Sequence, residues 1–234
     1  VDMGSGEGRG MEALARGREE GGGYVPAGEF IPLAEESGLI VRLGEQVLGR
    51  SCRLAGPALA ALARPLRMSV NLSPRQFAQD DLVEMVRRHL RESGLAPERL
   101  ELEITESSIM ADLAASRRKL DELAGMGVTL AVDDFGTGYS CLAHLKNLPL
   151  HVLKIDRSFV RDVTANPSDM LLVDSILDMA RNFGLRVVAE GVETPRQYDH
   201  LRGRGCHEAQ GFLLGRPMPF AELEPLLADG VRLG

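Results

Sequence analysis

Seven short apolar runs along this chain each end in a residue that could do chemistry: Glu12, Asn71, Glu103, Asp133 with Asp134, Lys154, Glu190 and Gln210. Taken singly, each reads as a helix cap or a solvated loop acid. Seven successive units with the same feature are harder to dismiss. If these groups converge, five carboxylates (Glu12, Glu103, Asp133, Asp134 and Glu190) meet one cation, Lys154. Two carboxylates about 4 Å apart repel by roughly 4 kcal/mol at an effective dielectric of about 20, so such a cluster either takes up protons or binds cations. Divalent cations are the simpler answer. The donors are oxygens, Asn71 included, with no cysteine or histidine among them, which suits Mg²⁺ or Mn²⁺ rather than zinc. Two such ions would nearly cancel the cluster, and a paired site of that kind suits phosphodiester hydrolysis.

Convergence needs a scaffold, and the periodicity supplies one. Strands are predicted at Arg67–Leu72, Leu100–Thr105, Val128–Asp133, Val152–Ile155 and Arg186–Ala189, with a weaker one at Glu208–Phe212 and another within Arg9–Arg16. Helical segments follow them. Ser73-Pro74 and Thr194-Pro195-Arg196-Gln197 are start signals, Asp112 can cap a third helix ending at Gly125 or Gly127, and Glu29–Ala63 reads as two helices broken near Gly38. Strand-helix alternation means parallel strands with crossover helices. Seven units, plus a stub at Val1–Met3, fit a (β/α)8 barrel, whose active sites gather at the C-terminal ends of the strands. A doubly wound sheet is the runner-up, without its glycine fingerprint. In Leu100–Glu106 the leucines take one face, so Glu103 points into the barrel mouth. Asp134 must reach the same mouth through a bend, which Gly136 and Gly138 allow.

Composition narrows the class. The 234 residues are 44% apolar and 26% charged, with net charge −7, which excludes disorder and collagen-like chains and argues against a partner that coats DNA or RNA. The longest uncharged apolar stretch, Leu54–Ala63, is too short to span a bilayer. Three widely spaced cysteines, Cys52, Cys141 and Cys206, read as reduced thiols in a cytoplasmic setting. The Gly21–Gly23 patch reads as a loop.

The chain resembles the EAL-domain cyclic di-GMP phosphodiesterases. The resemblance rests on Glu12-Ala13-Leu14 with Arg16, Asn71-Leu72-Ser73, Glu103-Ile104-Thr105-Glu106, Asp133-Asp134-Phe135-Gly136-Thr137-Gly138-Tyr139-Ser140, Leu153-Lys154-Ile155-Asp156, Ala189-Glu190-Gly191-Val192-Glu193 and Gln210-Gly211-Phe212, in family order. It implies a modified TIM barrel whose first strand is antiparallel and here largely missing. It implies metal-dependent hydrolysis of cyclic di-GMP to linear pGpG; the alternative is a catalytically silent cyclic di-GMP receptor. By similarity, Glu12, Asn71, Glu103 and Asp133 hold one Mg²⁺ or Mn²⁺, and Asp133 with Asp134 holds a second. Lys154 touches the attacking water or scissile phosphate, Glu190 orients a water and is a general-base candidate, Gln210 completes that network, and Arg16 meets a substrate phosphate. Glu106 supports the loop Phe135–Ser140. Asp156 and Glu193 are supporting groups or helix caps.

The resemblance further implies a homodimer and one domain over residues 1–234, a piece of a larger multidomain chain whose parent a membrane could anchor. Ala15 and Gly17 stand where the family carries larger residues, which predicts looser packing around Arg16 or a weaker contact with the ligand there, and Cys141 replaces a serine, a change expected to be neutral. The eight motif acids less Arg16 and Lys154 carry −6 of the net −7, so the acidity has one address.

Overall fold

The structure, a computed structural model, describes residues 1–18, 21–136 and 145–229, with side chains to 227. The strands are β1 (Gly10–Ala13), β2 (Gly17–Arg18), β3 (Tyr24–Val25), β4 (Arg67–Leu72), β5 (Leu100–Thr105), β6 (Thr129–Phe135), β7 (Val152–Ile155), β8 (Arg186–Ala189) and β9 (Glu208–Ala209). Seven of them form one sheet in the order β1-β4-β5-β6-β7-β8-β9, with every pairing parallel. The sheet is curled into a barrel. Its two edge strands meet, because Gln210, just after β9, donates to Glu12 of β1 at 2.5 Å. Arg67 of β4 likewise reaches Glu208 of β9 at 2.9 Å. Residues 1–3 run antiparallel along β9, through an Asp2–Glu208 bridge and the Met3 N–H to His207 carbonyl bond of 2.9 Å. The expected antiparallel first strand is thus present as a short stub.

Alternation along the strands sorts the side chains into two environments. Residues such as Val70, Leu102, Ile104, Leu130, Leu153, Ile155 and Val187 point outward and build the main core against the helices. The inward set is polar at both ends and apolar in the middle. Ala131, Val152 and Val188 form a small separate cluster inside the barrel. It divides a lower layer of Arg67, Ser69, Glu101, Arg186 and Glu208 from the upper layer that carries the candidate residues. In-register pairing sets the upper layer: Asn71 lies opposite Glu103, and Thr105 opposite Asp133.

The helix signals act as expected. Ser73 and Thr194 each form a complete capping box, Asp112 accepts from Ala115 N–H, and Gly38, at φ 75°, separates helices Ala27–Ser37 and Ile40–Ala60. The Gly21–Gly23 patch is a loop, as read, and lies between the antiparallel strands β2 and β3. Two local readings need correction. Packing at Gly17 is tight rather than loose, since a Cβ there would stand 2.9 Å from Val25 Cβ and 3.2 Å from Phe30. The last strand stops at Ala209 because Gly211 presses onto Val192, where a Cβ would lie 2.2 Å from the carbonyl oxygen. Phe212, read as strand, is exposed under the Arg216 guanidinium. Among the described residues no helix is long and apolar enough to cross a membrane.

Candidate active site

At the C-terminal rim the Lys154 side chain, 2% exposed, forms the centre of the cluster. Its ammonium lies 2.5 Å from Glu190, 2.7 Å from Glu103, 3.8 Å from Glu12 and 4.0 Å from Asp133. Four strands, β1, β5, β6 and β7, and the residue just past β8 contribute these five groups. A lysine in this position is expensive to bury and persists because its partners surround it. Burial opposes its charge, but Glu103, Glu190, Glu12 and Asp133 outweigh burial and hold the ammonium well above the ordinary lysine value. Glu103 is pushed well above the usual carboxylate range by burial, against Lys154 and with the like charges of Glu12 and Asp133. Burial also raises Glu190, to about 7, with Lys154 opposing and Asp133 assisting.

Two amides fix Glu12. Asn71 Nδ2 donates to one carboxylate oxygen at 2.6 Å and Gln210 Nε2 to the other at 2.5 Å. Asn71 and Gln210 are themselves exposed at the mouth, so the rim opens to solvent on their side.

Asp134 reaches the rim by a route the sequence did not show. The β6–β7 register shifts between Val132 and Phe135, and Asp134 itself adopts φ 54°, the one positive φ at a non-glycine among the described residues. The bend therefore sits on the aspartate and not only on the glycines after it. Such a backbone costs on the order of 1–3 kcal/mol and is kept where the surroundings demand it. Partial desolvation and the charges of Asp133 and Asp156 raise its carboxyl above the usual value, against Lys154.

Other predicted residues stand apart from the cluster. Arg16 is exposed and donates to the Ala15 carbonyl at 2.9 Å. Asp156 caps helix Arg157–Arg161 through Ser158 N–H at 3.0 Å. Glu193 is exposed, and its N–H rather than its carboxylate is engaged, by Gln197. Glu106 is buried in the first turn of helix Glu106–Ala111. Residues 137–140 of the loop it was expected to support, and Cys141, lie outside the described residues. What the sequence reading missed is the lower polar layer. Arg67, Glu101, Arg186 and Glu208 sit at strand starts, where polar residues raise no alarm.

Could the rim hold metal? Among the described residues no three acidic, histidine or cysteine side chains are gathered as a ready metal cage. The donor chemistry nonetheless fits hard cations. All donors are oxygens, the acids outnumber their one ammonium, and Asp133 Oδ1 is buried without a hydrogen bond.

A family model described as the EAL domain matches residues 1–217. The chain belongs to the EAL domain family. The bifunctional diguanylate cyclase/cyclic di-GMP phosphodiesterase MucR of Pseudomonas aeruginosa is 46% identical to this EAL domain over 214 residues, 92% of this chain and 31% of that protein. The cyclic di-GMP phosphodiesterase NbdA of the same organism is 44% identical over 226 residues, 96% of this chain and 29% of that protein. The chain thus spans about a third of the length of these relatives. Among solved structures, the PaMucR phosphodiesterase in complex with c-di-GMP superposes with a TM-score of 0.88 at 46% identity, covering 92% of this chain and 87% of that one. The EAL domain of Mycobacterium smegmatis DcpA gives 0.83 at 41% identity, covering 98% and 95%. The curled parallel sheet with its covering helices is therefore the fold of these EAL domains, and it matches the modified barrel that the sequence implied.

Proposed function

We propose that this EAL domain hydrolyses cyclic di-GMP to linear pGpG, with two divalent ions, Mg²⁺ or Mn²⁺, held by Glu12, Asn71, Glu103, Asp133 and Asp134. The observation that carries the reading is the convergence of Glu12, Glu103, Asp133 and Glu190 within 4.0 Å of one buried ammonium. The two relatives named as cyclic di-GMP phosphodiesterases support the choice of substrate. Bound divalent ions would lower the pKa of water and offset charge on the phosphoryl oxygens.

The remaining steps belong to the chain's own residues. Lys154, kept protonated, donates toward a non-bridging phosphate oxygen and offsets the charge that grows there. Glu190, with its carboxyl raised to about 7, is matched to neutral pH as a general base. It takes a proton from the attacking water as the water oxygen bonds to phosphorus and the P–O3′ bond breaks. The 3′ oxygen leaves with a proton from solvent or from the same carboxyl. Asn71 and Gln210 hold Glu12 in one orientation, and the Arg16 guanidinium offers a two-pronged contact to the second phosphate at the mouth. The same reading includes a homodimer and a parent chain with further domains.

The test is direct. Purified protein is incubated with cyclic di-GMP and Mg²⁺, Mn²⁺ or Ca²⁺, and products are separated by chromatography. pGpG should form with the first two ions, not with Ca²⁺, and not in Glu12→Ala. A folded protein that binds the dinucleotide tightly yet yields no product with any ion is a receptor, and the proposal fails.

A further inference from the structure

On helix Ile40–Ala60, Arg42, Gln46, Gly49 and Arg53 follow one another at helical spacing and share one face. Gly49 leaves a gap in that face, and His89 of helix Leu82–Ser93 fills its floor. A Cβ on Gly49 would stand 2.7 Å from His89 Cε1 and 2.9 Å from Nδ1, and 3.3 Å from Arg53 Nη1. With Glu45 these residues line a cleft of about 300 Å³, on the helical layer and away from the rim.

Its polar groups are poorly satisfied. His89 is 9% exposed, yet its Nε2 has no hydrogen bond. The facing acid, Glu45, is 3.8 Å from Nε2 and is already bonded to Arg88 at 2.5 Å; Glu92 is 3.9 Å from Nδ1. Burial and then Arg88 hold the imidazole below its usual value, with Arg53 adding to them against Glu45 and Glu92. A neutral imidazole carries one N–H. Among the described residues neither Arg42 nor Arg53 has an acidic partner. Two unpaired guanidinium groups and a buried nitrogen without a partner, all lining one cleft, are a donor set lacking its acceptor. Residues 42 and 53 are about 16 Å apart along the helix axis, but both side chains line the one cleft and the Arg53 guanidinium reaches the gap at Gly49. Guanidinium forks match phosphate oxygens two at a time.

We infer that this cleft binds a small phosphorylated anion, held at its ends by Arg42 and Arg53 and met between them by Gln46 and His89 Nε2. The site is independent of the hydrolytic rim and stands or falls without it.

Inorganic pyrophosphate is the probe. Histidine side-chain NMR on the whole chain, with the signal assigned through His89→Gln, should show a saturable shift with its midpoint below about 1 mM. Arg42→Gln and Arg53→Gln, both solvent-facing changes whose folding circular dichroism confirms, should each weaken it by roughly tenfold. The inference is overturned if no saturable shift occurs up to about 10 mM, if the shift survives in the double variant, or if citrate at matched ionic strength binds as well as pyrophosphate.

Discussion

At the lower end of the barrel interior, Arg67 lies 3.1 Å from Glu101 and 2.9 Å from Glu208, Arg186 lies 3.0 Å from Glu208, and Ser69 donates to Glu101 at 2.7 Å. Two acids face two guanidinium groups. At the upper end, past the plug of Ala131, Val152 and Val188, four acids crowd one ammonium. Both layers are built from glutamates on inward strand positions, and both are largely buried. The difference is stoichiometry. A balanced buried network is satisfied by the protein itself, and removing one member leaves an uncompensated charge. An unbalanced one stores unfavourable charge that only a proton or an added cation relieves. The lower layer is built to hold the barrel, and the upper to hold something else.

The largest effect that would break this contrast is on turnover. Lys154→Met should lower kcat/KM for cyclic di-GMP by at least about 10³-fold, or about 4 kcal/mol of barrier, with circular dichroism showing a folded barrel. Retention of full activity would remove the rim's centre from the chemistry.

At the opposite end, Arg67→Met should cost about 3–5 kcal/mol in chemical denaturation, because Glu101 and Glu208 lose their shared partner. Activity per folded molecule should be unchanged. If turnover falls while stability holds, the two layers are not functionally distinct.

A third test uses pH on chelator-treated protein. The folded-state value of Glu190 is raised from 4.5 to about 7, so between those limits the folded state binds more protons than the unfolded one. Its contribution to stability therefore falls as pH rises through that window. Glu190→Gln should remove this fall, and near pH 8 should be more stable than wild type by about 1–3 kcal/mol, while turning over poorly. A variant less stable than wild type at that pH would contradict the strained-rim reading.

The smallest effect separates a cap from a site residue. Asp156→Ala should cost about 1 kcal/mol of stability through the lost Ser158 N–H bond and change kcat by less than about twofold. A loss near that of Lys154→Met would place Asp156 in the upper layer after all.

Much of this was legible beforehand for local reasons. The strands at Arg67–Leu72, Leu100–Thr105, Val152–Ile155 and Arg186–Ala189 run as the apolar pattern says, and both capping boxes are four-residue devices that need no tertiary partner. Glu103 could be aimed into the mouth because strand alternation is a property of the backbone alone. Other features were not legible. The bend at Asp134 goes with a register shift against β7, and it sits on the aspartate itself, at φ 54°, as well as on Gly136, at φ 97°. The tight fit of Gly17 depends on Val25 across a hairpin and Phe30 on the next helix.

By itself, then, the sequence determined the alternation of strands and helices, the inward position of Glu103, and the excess of acids over bases among the motif residues. These follow from periodicity and counting, which act over a few residues. Only the tertiary structure decided that Lys154 sits between Glu103 and Glu190, that Asn71 and Gln210 grip the two oxygens of Glu12, and that an equally polar lower layer balances itself. Those facts depend on how the strands register and on the closure of β9 back toward β1. Electrostatic energy depends on distance through space, which spacing along a chain does not specify.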